Sequence, residues 1–94
     1  VETLLVVGIC TDICVMDFVL TALSARNHGM LSDCREIIVY DGACATYDLP
    51  REAAEALDLP EGAVHPQDLT HHMGLYFMAS RGATIVQSVS IQED

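Results

Sequence analysis

The sequence predicts an α/β fold built on a parallel β-sheet. Two observations carry this prediction: short, continuous apolar runs of strand length recur along the chain, and stretches with helical periodicity separate them. The resulting order, β, α, β, α, α, β, is typical of a parallel sheet with helices on both faces. The 94 residues, 51% of them hydrophobic, suffice for one small domain or part of a larger one.

The first three elements form a predicted βαβ unit. The run from Thr3 to Val7 has the continuous apolar character of a strand buried on both faces. From Asp12 to Asn27 the apolar residues recur at helical spacing; Thr11 can serve as the N-cap, and Gly29 lies just beyond as a stop signal. A second apolar run from Glu36 to Tyr40 precedes a turn-prone Asp-Gly pair and completes the unit.

The sequence of the second half of the chain predicts two further helices and a third strand. A short helix is expected from Arg51 to Leu57, with Asp48 as its cap and Pro50 in its first turn. Pro66 opens a longer helix that ends near Gly82, and a third strand covers residues 83–86, with an extension to 91 left open. The predicted buried stripe of the longer helix is Leu69, Met73, Tyr76, Phe77 and Ser80.

Charge and composition exclude several classes of function. The net charge is −10 and the four basic residues are all arginine, so nucleic-acid binding is not expected. No apolar run reaches the length of a membrane span and no signal peptide is visible, which predicts no membrane association and a cytoplasmic protein. Because the chain starts at Val1 without an initiator methionine, we expect a trimmed or incomplete sequence.

Candidate chemistry lies where the first strand meets the first helix. Cys14 follows the N-cap by three residues, so it lies in the field of the helix N-terminus, which favours a thiolate. Backbone N–H groups at the same end can hold an oxyanion. Taken alone, this position leaves two interpretations open, a catalytic nucleophile and a buried core thiol. For Cys34 and Cys44 the buried thiol is the prediction, and His71 and His72 are assigned to the surface or an interface rather than to a metal.

The segment Val-Val-Gly-Ile-Cys-Thr-Asp-Ile-Cys-Val at 6–15 resembles the nucleophile motif of the isochorismatase-like cysteine hydrolases. The strand and loop at 39–46 resemble those that follow in this superfamily. The segments 65–76 and 81–83 are most similar to plant-type nicotinamidases. The resemblance implies the Rossmann-like isochorismatase fold. It also implies that residues 1–94 are the C-terminal portion, roughly the second half, of a single hydrolase domain with three strands.

The resemblance further implies a function and its residues. The reaction would be hydrolysis of nicotinamide to nicotinate and ammonia, a step of NAD salvage, with Cys14 as the nucleophile that forms a thioester. The backbone N–H groups of Cys14 and Cys10 would form the oxyanion hole, the latter after a cis peptide with Ile9. Ile9, Cys10 and Ile13 would line the pocket for the substrate ring. Asp12 would cap the helix and orient the loop rather than act as the base.

Other parts of the family pattern have no match in this chain. The family's catalytic Asp and Lys and its metal ligands would lie upstream, and this sequence has no lysine at all. We therefore expect the 94 residues alone to bind no metal and to have no activity. For the full-length parent we expect a zinc-like divalent metal and a homo-oligomer. The alternatives are another isochorismatase-like small-amide hydrolase, or an inactive fragment that only binds a partner.

Overall fold

The structure, a computed structural model, describes residues 2–90. A short π-helical turn leads directly into the first α-helix, and a 3-10 turn lies between the second and third α-helices. The elements are β1 (Thr3–Ile9), the π-helical turn (Thr11–Val15), α1 (Met16–Asn27), β2 (Glu36–Ala45), α2 (Arg51–Ala56), the 3-10 turn (Glu61–Ala63), α3 (Gln67–Ser80) and β3 (Thr84–Val86).

The three strands form one parallel sheet in the order β1-β2-β3, which confirms the predicted α/β class. Both crossovers run in the same direction along the sheet. Right-handed crossovers of that kind put their helices on the same face. Accordingly, α1 and α3 contact each other and share one core with that face, whereas Leu5 and Val7 of β1 are about half exposed on the other. The sequence predicts helices on both faces of the sheet. In the structure, the two long helices, α1 and α3, lie on the same face.

The core lies between α1, α3 and β2. Its largest fully buried hydrophobic side chains are Val19 and Leu23 of α1, Ile37 and Val39 of β2, and Met78 of α3. Ile37 and Val39 alternate along the strand, as two residues on one face of a sheet must. Leu4 and Val6 of β1 pack against this core, so the π-helical turn that carries the candidate nucleophile connects two elements of the same packed unit.

Strand β2 is longer than the sequence predicts because its Asp-Gly pair forms an irregularity rather than an end. The register with β1 runs evenly up to Val6 opposite Val39 and then shifts, so that Gly8 pairs with Cys44. The residues between Val39 and Cys44 are therefore the longer side of a bulge, and Asp41 lies within it. This bulge re-aims the Asp41 side chain toward α3.

Both long helices end as predicted at glycine. Gly29 and Gly82 have φ values of 80° and 115°. Each glycine lies just after a helix, and its N–H donates to a carbonyl of the last helical turn. The Met30 N–H donates to Ala25 and the Ala83 N–H donates to Met78, which is the hydrogen-bond pattern of a Schellman motif.

The starts of the helices differ from the predictions. Cys10 rather than Thr11 is the N-cap residue of the first helical turn, and no side chain caps it. Asp48 does not cap α2; its carboxylate accepts from the N–H of Gln67 and so caps α3, across a distance of 19 residues in sequence. The excursion between these two points is closed by an antiparallel bridge between Leu49 and His65.

Helix α3 buries a different stripe from the predicted one. Gly74 and Met78 are buried, whereas Leu69, Tyr76 and Phe77 are exposed by 58%, 56% and 44%. The predicted stripe was based on the apolar side chains of the helix. In the structure, the side of α3 that faces the sheet instead carries the half-buried His71 and the buried Gly74 and Met78. The third strand ends at Val86, and the final residue of its possible extension, Ile91, lies outside the described residues. None of the described helices is long and apolar enough to cross a membrane.

Candidate active site

Cys14 lies in the first helical turn after β1, at the carboxyl end of the parallel strand. The π-helical turn closes on the carbonyl of Cys10, which accepts from the N–H groups of Ile13 and Val15 at 3.1 Å each. Cys14 is exposed, and it borders an open groove of about 410 Å³ along β1 that Phe18 also lines. An exposed thiol on such a turn differs from the buried core thiol that the sequence left open.

The residues predicted to line the substrate pocket surround the same strand end. Ile9 is 75% exposed and Ile13 is 45% exposed, while Cys10 is half-buried. Ile9 borders both the groove next to Cys14 and a second cavity of about 240 Å³, which Cys10 and Tyr47 also line. These positions are compatible with a binding role, which stays a prediction.

The predicted cis peptide between Ile9 and Cys10 is absent. No cis peptide bond occurs among residues 2–90, so this bond is trans. A non-proline cis bond costs about 3 kcal/mol and persists only where surrounding structure enforces it. Ile9 is largely exposed, so the described residues offer little packing that could enforce it. The oxyanion-hole role of the Cys10 N–H, which depended on that geometry, loses this support.

Asp12 connects the turn to two distant parts of the chain. Its Oδ1 accepts from the Thr46 hydroxyl at 2.6 Å, and its Oδ2 lies 2.7 Å from Nε2 of His65. Burial opposes ionisation of this carboxyl, but the hydrogen bonds from Thr46 and His65 outweigh it, so the pKa of Asp12 is lowered. The side chain holds the loop through these tertiary contacts, but the helix-capping role also predicted for it is not seen, because its two oxygens accept from Thr46 and His65 instead.

His65 is held on both ring nitrogens. Nδ1 lies 2.8 Å from the carbonyl oxygen of Tyr47, and the imidazole stacks on the Tyr47 ring with centroids 3.9 Å apart. Burial disfavours the imidazolium, but the hydrogen bond to Asp12 and the one to the Tyr47 carbonyl outweigh it, so the pKa of His65 is raised. When His65 is protonated, Asp12 and His65 form an ion pair whose side chains are only 15% and 11% exposed.

A second histidine, His71, is hydrogen-bonded to Thr11, the residue before Asp12. Nδ1 of His71 lies 2.7 Å from the hydroxyl of Thr11, which is fully buried, and Nε2 lies 2.6 Å from Oδ1 of Asp41. The amide of Gln87 donates to the other Asp41 oxygen at 2.9 Å. The bond from His71 lowers the pKa of Asp41 despite partial burial, and Gln87 adds to the effect. His71 is therefore a part of the interior network, whereas His72 is exposed as predicted.

The remaining cysteines behave as the sequence predicts. Cys34 and Cys44 are buried, and none of the four cysteines forms a disulfide. Burial raises the pKa of the Cys44 thiol, although the backbone at Gly8 partly offsets the effect. Both thiols are thus small core side chains.

Within residues 2–90, no three His, Cys, Asp or Glu side chains converge in a way that could hold a metal ion. The nearest approaches are the two histidine–carboxylate pairs, and each of these is closed by hydrogen bonds to Thr46, Tyr47, Thr11 or Gln87. Residues 2–90 therefore do not provide the metal ligands that the family resemblance implies.

No family model matches the chain, and the search of solved structures found no significant match. Among curated proteins, Nicotinamidase 1 of Arabidopsis thaliana is 52% identical over 92 residues. This chain is a homologue of a plant nicotinamidase. The match covers 98% of the chain but only 37% of the relative, so the chain spans well under half the length of that nicotinamidase. The predicted resemblance to plant-type nicotinamidases is confirmed.

Two residues that organise the site were not predicted from the sequence. His65 lies 53 residues from its partner Asp12 in sequence, and His71 lies 60 residues from its partner Thr11. Neither separation belongs to a spacing pattern that would predict the contact. One signal was available. Two histidines flank a helix start in a chain with four histidines in all, and two consecutive polar residues, Thr11 and Asp12, interrupt an apolar segment that the core must cover.

Proposed function

We propose that this chain carries the nucleophile of an amidohydrolase that converts nicotinamide to nicotinate and ammonia, with Cys14 as the attacking thiol. The observation that carries the proposal is the exposed Cys14 on the first helical turn after β1, beside an open groove. The 52% identity to a nicotinamidase supports the substrate class. Residues 1–94 would form the C-terminal portion of a single isochorismatase-like domain in a longer, cytoplasmic and homo-oligomeric protein.

The proposed reaction proceeds in two steps. The Cys14 sulfur attacks the carboxamide carbon, and the resulting oxyanion is held by backbone N–H groups of the helical turn, that of Cys14 among them. The C–N bond then breaks and the leaving nitrogen takes a proton, which gives ammonia and a thioester. Water attacks the thioester carbon, the C–S bond breaks, and nicotinate is released as the thiol recovers its proton.

The proton transfers need groups that this chain does not supply. Asp12 lies within the turn and Asp41 is connected to it through His71, but each carboxylate is engaged with a histidine and with a second hydrogen-bond donor. The chain has no lysine. We propose that the acid and base residues come from the remainder of the full-length protein, so the 94 residues alone should not release ammonia from nicotinamide.

The test of this function is the relative reactivity of the four thiols. We expect Cys14 to react with iodoacetamide faster than Cys10, Cys34 and Cys44 at about pH 6, because it is exposed at a helix N-terminus. Peptide mass mapping after timed alkylation gives the rate at each thiol, in the chain and in the full-length protein.

The matched variants are Cys14→Ala and Cys10→Ala in the full-length protein. Cys14→Ala should abolish nicotinamide hydrolysis, since Cys14 is the residue that forms the thioester, while Cys10→Ala should retain part of it because the Cys10 side chain only lines the predicted ring pocket and does not attack the substrate. Full activity of Cys14→Ala, or another thiol reacting fastest in the full-length protein, would overturn the proposal.

A further inference from the structure

The strongest feature that the proposed reaction leaves unexplained is the ion pair behind the Cys14 turn. Asp12 stands two residues before Cys14, yet its carboxylate is held by Thr46 and His65, away from any reacting atom that the proposal names. On its other side, the Asp12 backbone packs against Gly74 of α3, where an added Cβ would lie 2.9 Å from the Asp12 Cα. The position of Asp12 is thus defined from two directions.

His65 is itself fixed before it meets Asp12. Its backbone exchanges two hydrogen bonds with Leu49, at 2.8 and 2.7 Å, and its ring stacks on Tyr47. A side chain anchored by its backbone, by stacking and by a hydrogen bond to a carbonyl presents Nε2 in one direction with little freedom left. It can therefore hold the Asp12 carboxylate in place rather than follow it.

The two acceptors around His65 also define its protonation. The Tyr47 carbonyl can only accept, so Nδ1 must carry a proton. The Asp12 carboxylate already accepts from the Thr46 hydroxyl and, when ionised, can only accept from Nε2 as well. With Asp12 ionised, both nitrogens donate and the ring is an imidazolium. The raised pKa of His65 and the lowered pKa of Asp12 agree with this charge state.

We propose that His65 is a positioning residue for Cys14: as an imidazolium it clamps the Asp12 carboxylate to the segment before α3 and so fixes the turn that carries the thiol. The inference rests on the proposed function, because it assigns a purpose to the placement of Cys14. The acidic groups on adjoining segments are Asp48, which accepts from the Gln67 N–H, Glu61, which pairs with Arg51, and the exposed Asp68 in the first turn of α3. None of them is hydrogen-bonded to His65, so Asp12 is its charged partner.

The first measurement is the protonation of His65 in the intact 94-residue chain by ¹⁵N NMR of the imidazole. Both ring nitrogens should be protonated near neutral pH. In Asp12→Asn, the amide can donate to Nε2, so His65 should become neutral while a hydrogen bond is kept. The exposed His72, one residue along from His71, supplies an internal reference signal.

The second measurement links the clamp to the thiol. In His65→Gln, the rate of Cys14 alkylation at about pH 6 should fall by about tenfold, the scale of one charge-assisted hydrogen bond. His72→Gln, the matched control, should leave the rate unchanged. The double variant Asp12→Asn/His65→Gln pairs two amides and removes the unpaired carboxylate, so it should recover part of the lost rate.

Thr46→Val provides a milder variant in case His65→Gln does not fold, because it removes one donor to Asp12 at constant shape. It should also slow Cys14 alkylation, by a smaller factor. A His65 that is singly protonated in the wild-type chain overturns the inference without any variant. If Cys14 is the fastest thiol and neither His65→Gln nor Thr46→Val slows it, the clamp is refuted and the nucleophile stands. If Cys14 is not the fastest thiol in the full-length protein, the proposed function fails, and the clamp as a positioning device for a nucleophile fails with it.

Discussion

Two consecutive residues, Thr11 and Asp12, tie the Cys14 turn to the rest of the chain. Thr11 is bonded to His71 and Asp12 to His65, so each histidine reaches the turn from the second half of the sequence. Threonine and aspartate next to a helix start would ordinarily cap it locally. Here the packing of α3 and of the segment before it replaces local capping by tertiary hydrogen bonds.

The Asp12–His65 pair should make stability depend on pH in a defined window. The pKa of Asp12 is lowered, so its contribution is complete above the ordinary aspartate value of 3.8 and is lost as the pH falls through the lowered value. The pKa of His65 is raised, so its contribution is complete below the ordinary histidine value of 6.5 and is lost as the pH rises through the raised value.

We therefore expect His65→Gln to lower the free energy of unfolding by about 1–3 kcal/mol between these two pH values, and by less on either side. Urea unfolding of wild type and variant at several pH values measures the difference, and His72→Gln serves as the control. A loss that stays constant from acid to alkaline pH would show that the variant removes packing rather than an ion pair.

At the scale of elements, α3 packs tightly against the π-helical turn. Gly74 is buried there because α3 presents its smallest residue to the Asp12 backbone. The stripe that α3 buries, with His71, Gly74 and Met78 on it, has the spacing of one helical face, yet hydrophobicity points to another. Backbone proximity and buried hydrogen bonds decided the orientation of this helix.

Gly74→Ala should destabilise the chain by about 1–3 kcal/mol, because the new methyl group would overlap the Asp12 backbone. Alanine ordinarily favours a helix over glycine by about 1 kcal/mol, so the sign of the effect is diagnostic. Gly62→Ala is the control, since nothing lies within 4 Å of the added atom. Urea denaturation of both variants compares them; a Gly74→Ala chain as stable as wild type would contradict the close approach.

At the scale of the whole molecule, the chain is flat and leaves an apolar surface uncovered. Its radius of gyration is 15.6 Å, against about 12 Å for a compact domain of this length, and its shortest dimension is 16 Å. Strand β1 is an edge strand of the described sheet. The exposed apolar side chains at this edge are Leu5, Val7, Ile9 and Phe18.

We expect the isolated chain to self-associate through this edge, because an unpaired strand with exposed apolar side chains favours pairing with another chain. Val7→Lys should shift the population toward monomer, measured by sedimentation velocity over a range of concentrations. Leu57→Lys, at a side chain 66% exposed and remote in sequence from β1, is the matched control and should have little effect. A wild-type chain that sediments as a monomer and melts cooperatively would count against this expectation.

The sequence alone determined the succession of elements and the ends of the long helices. Apolar runs, helical periodicity, Gly29 and Gly82 are local signals, because backbone preferences act between neighbours in the chain. The motif around Cys14 placed the candidate nucleophile on the first helical turn in the same way. The trans peptide after Ile9 corrects a feature that the family resemblance, rather than the residues themselves, had implied.

Tertiary structure decided everything that depends on pairing across the chain. The bulge in β2 aims Asp41 at His71, the bridge at Leu49 presents His65 to Asp12, and Asp48 caps α3 instead of α2. A polar side chain has several possible partners, and its choice depends on which donors and acceptors the packed core brings within hydrogen-bond distance. Burial then stabilises that pairing, because a polar group removed from water costs free energy unless it is hydrogen-bonded inside the protein.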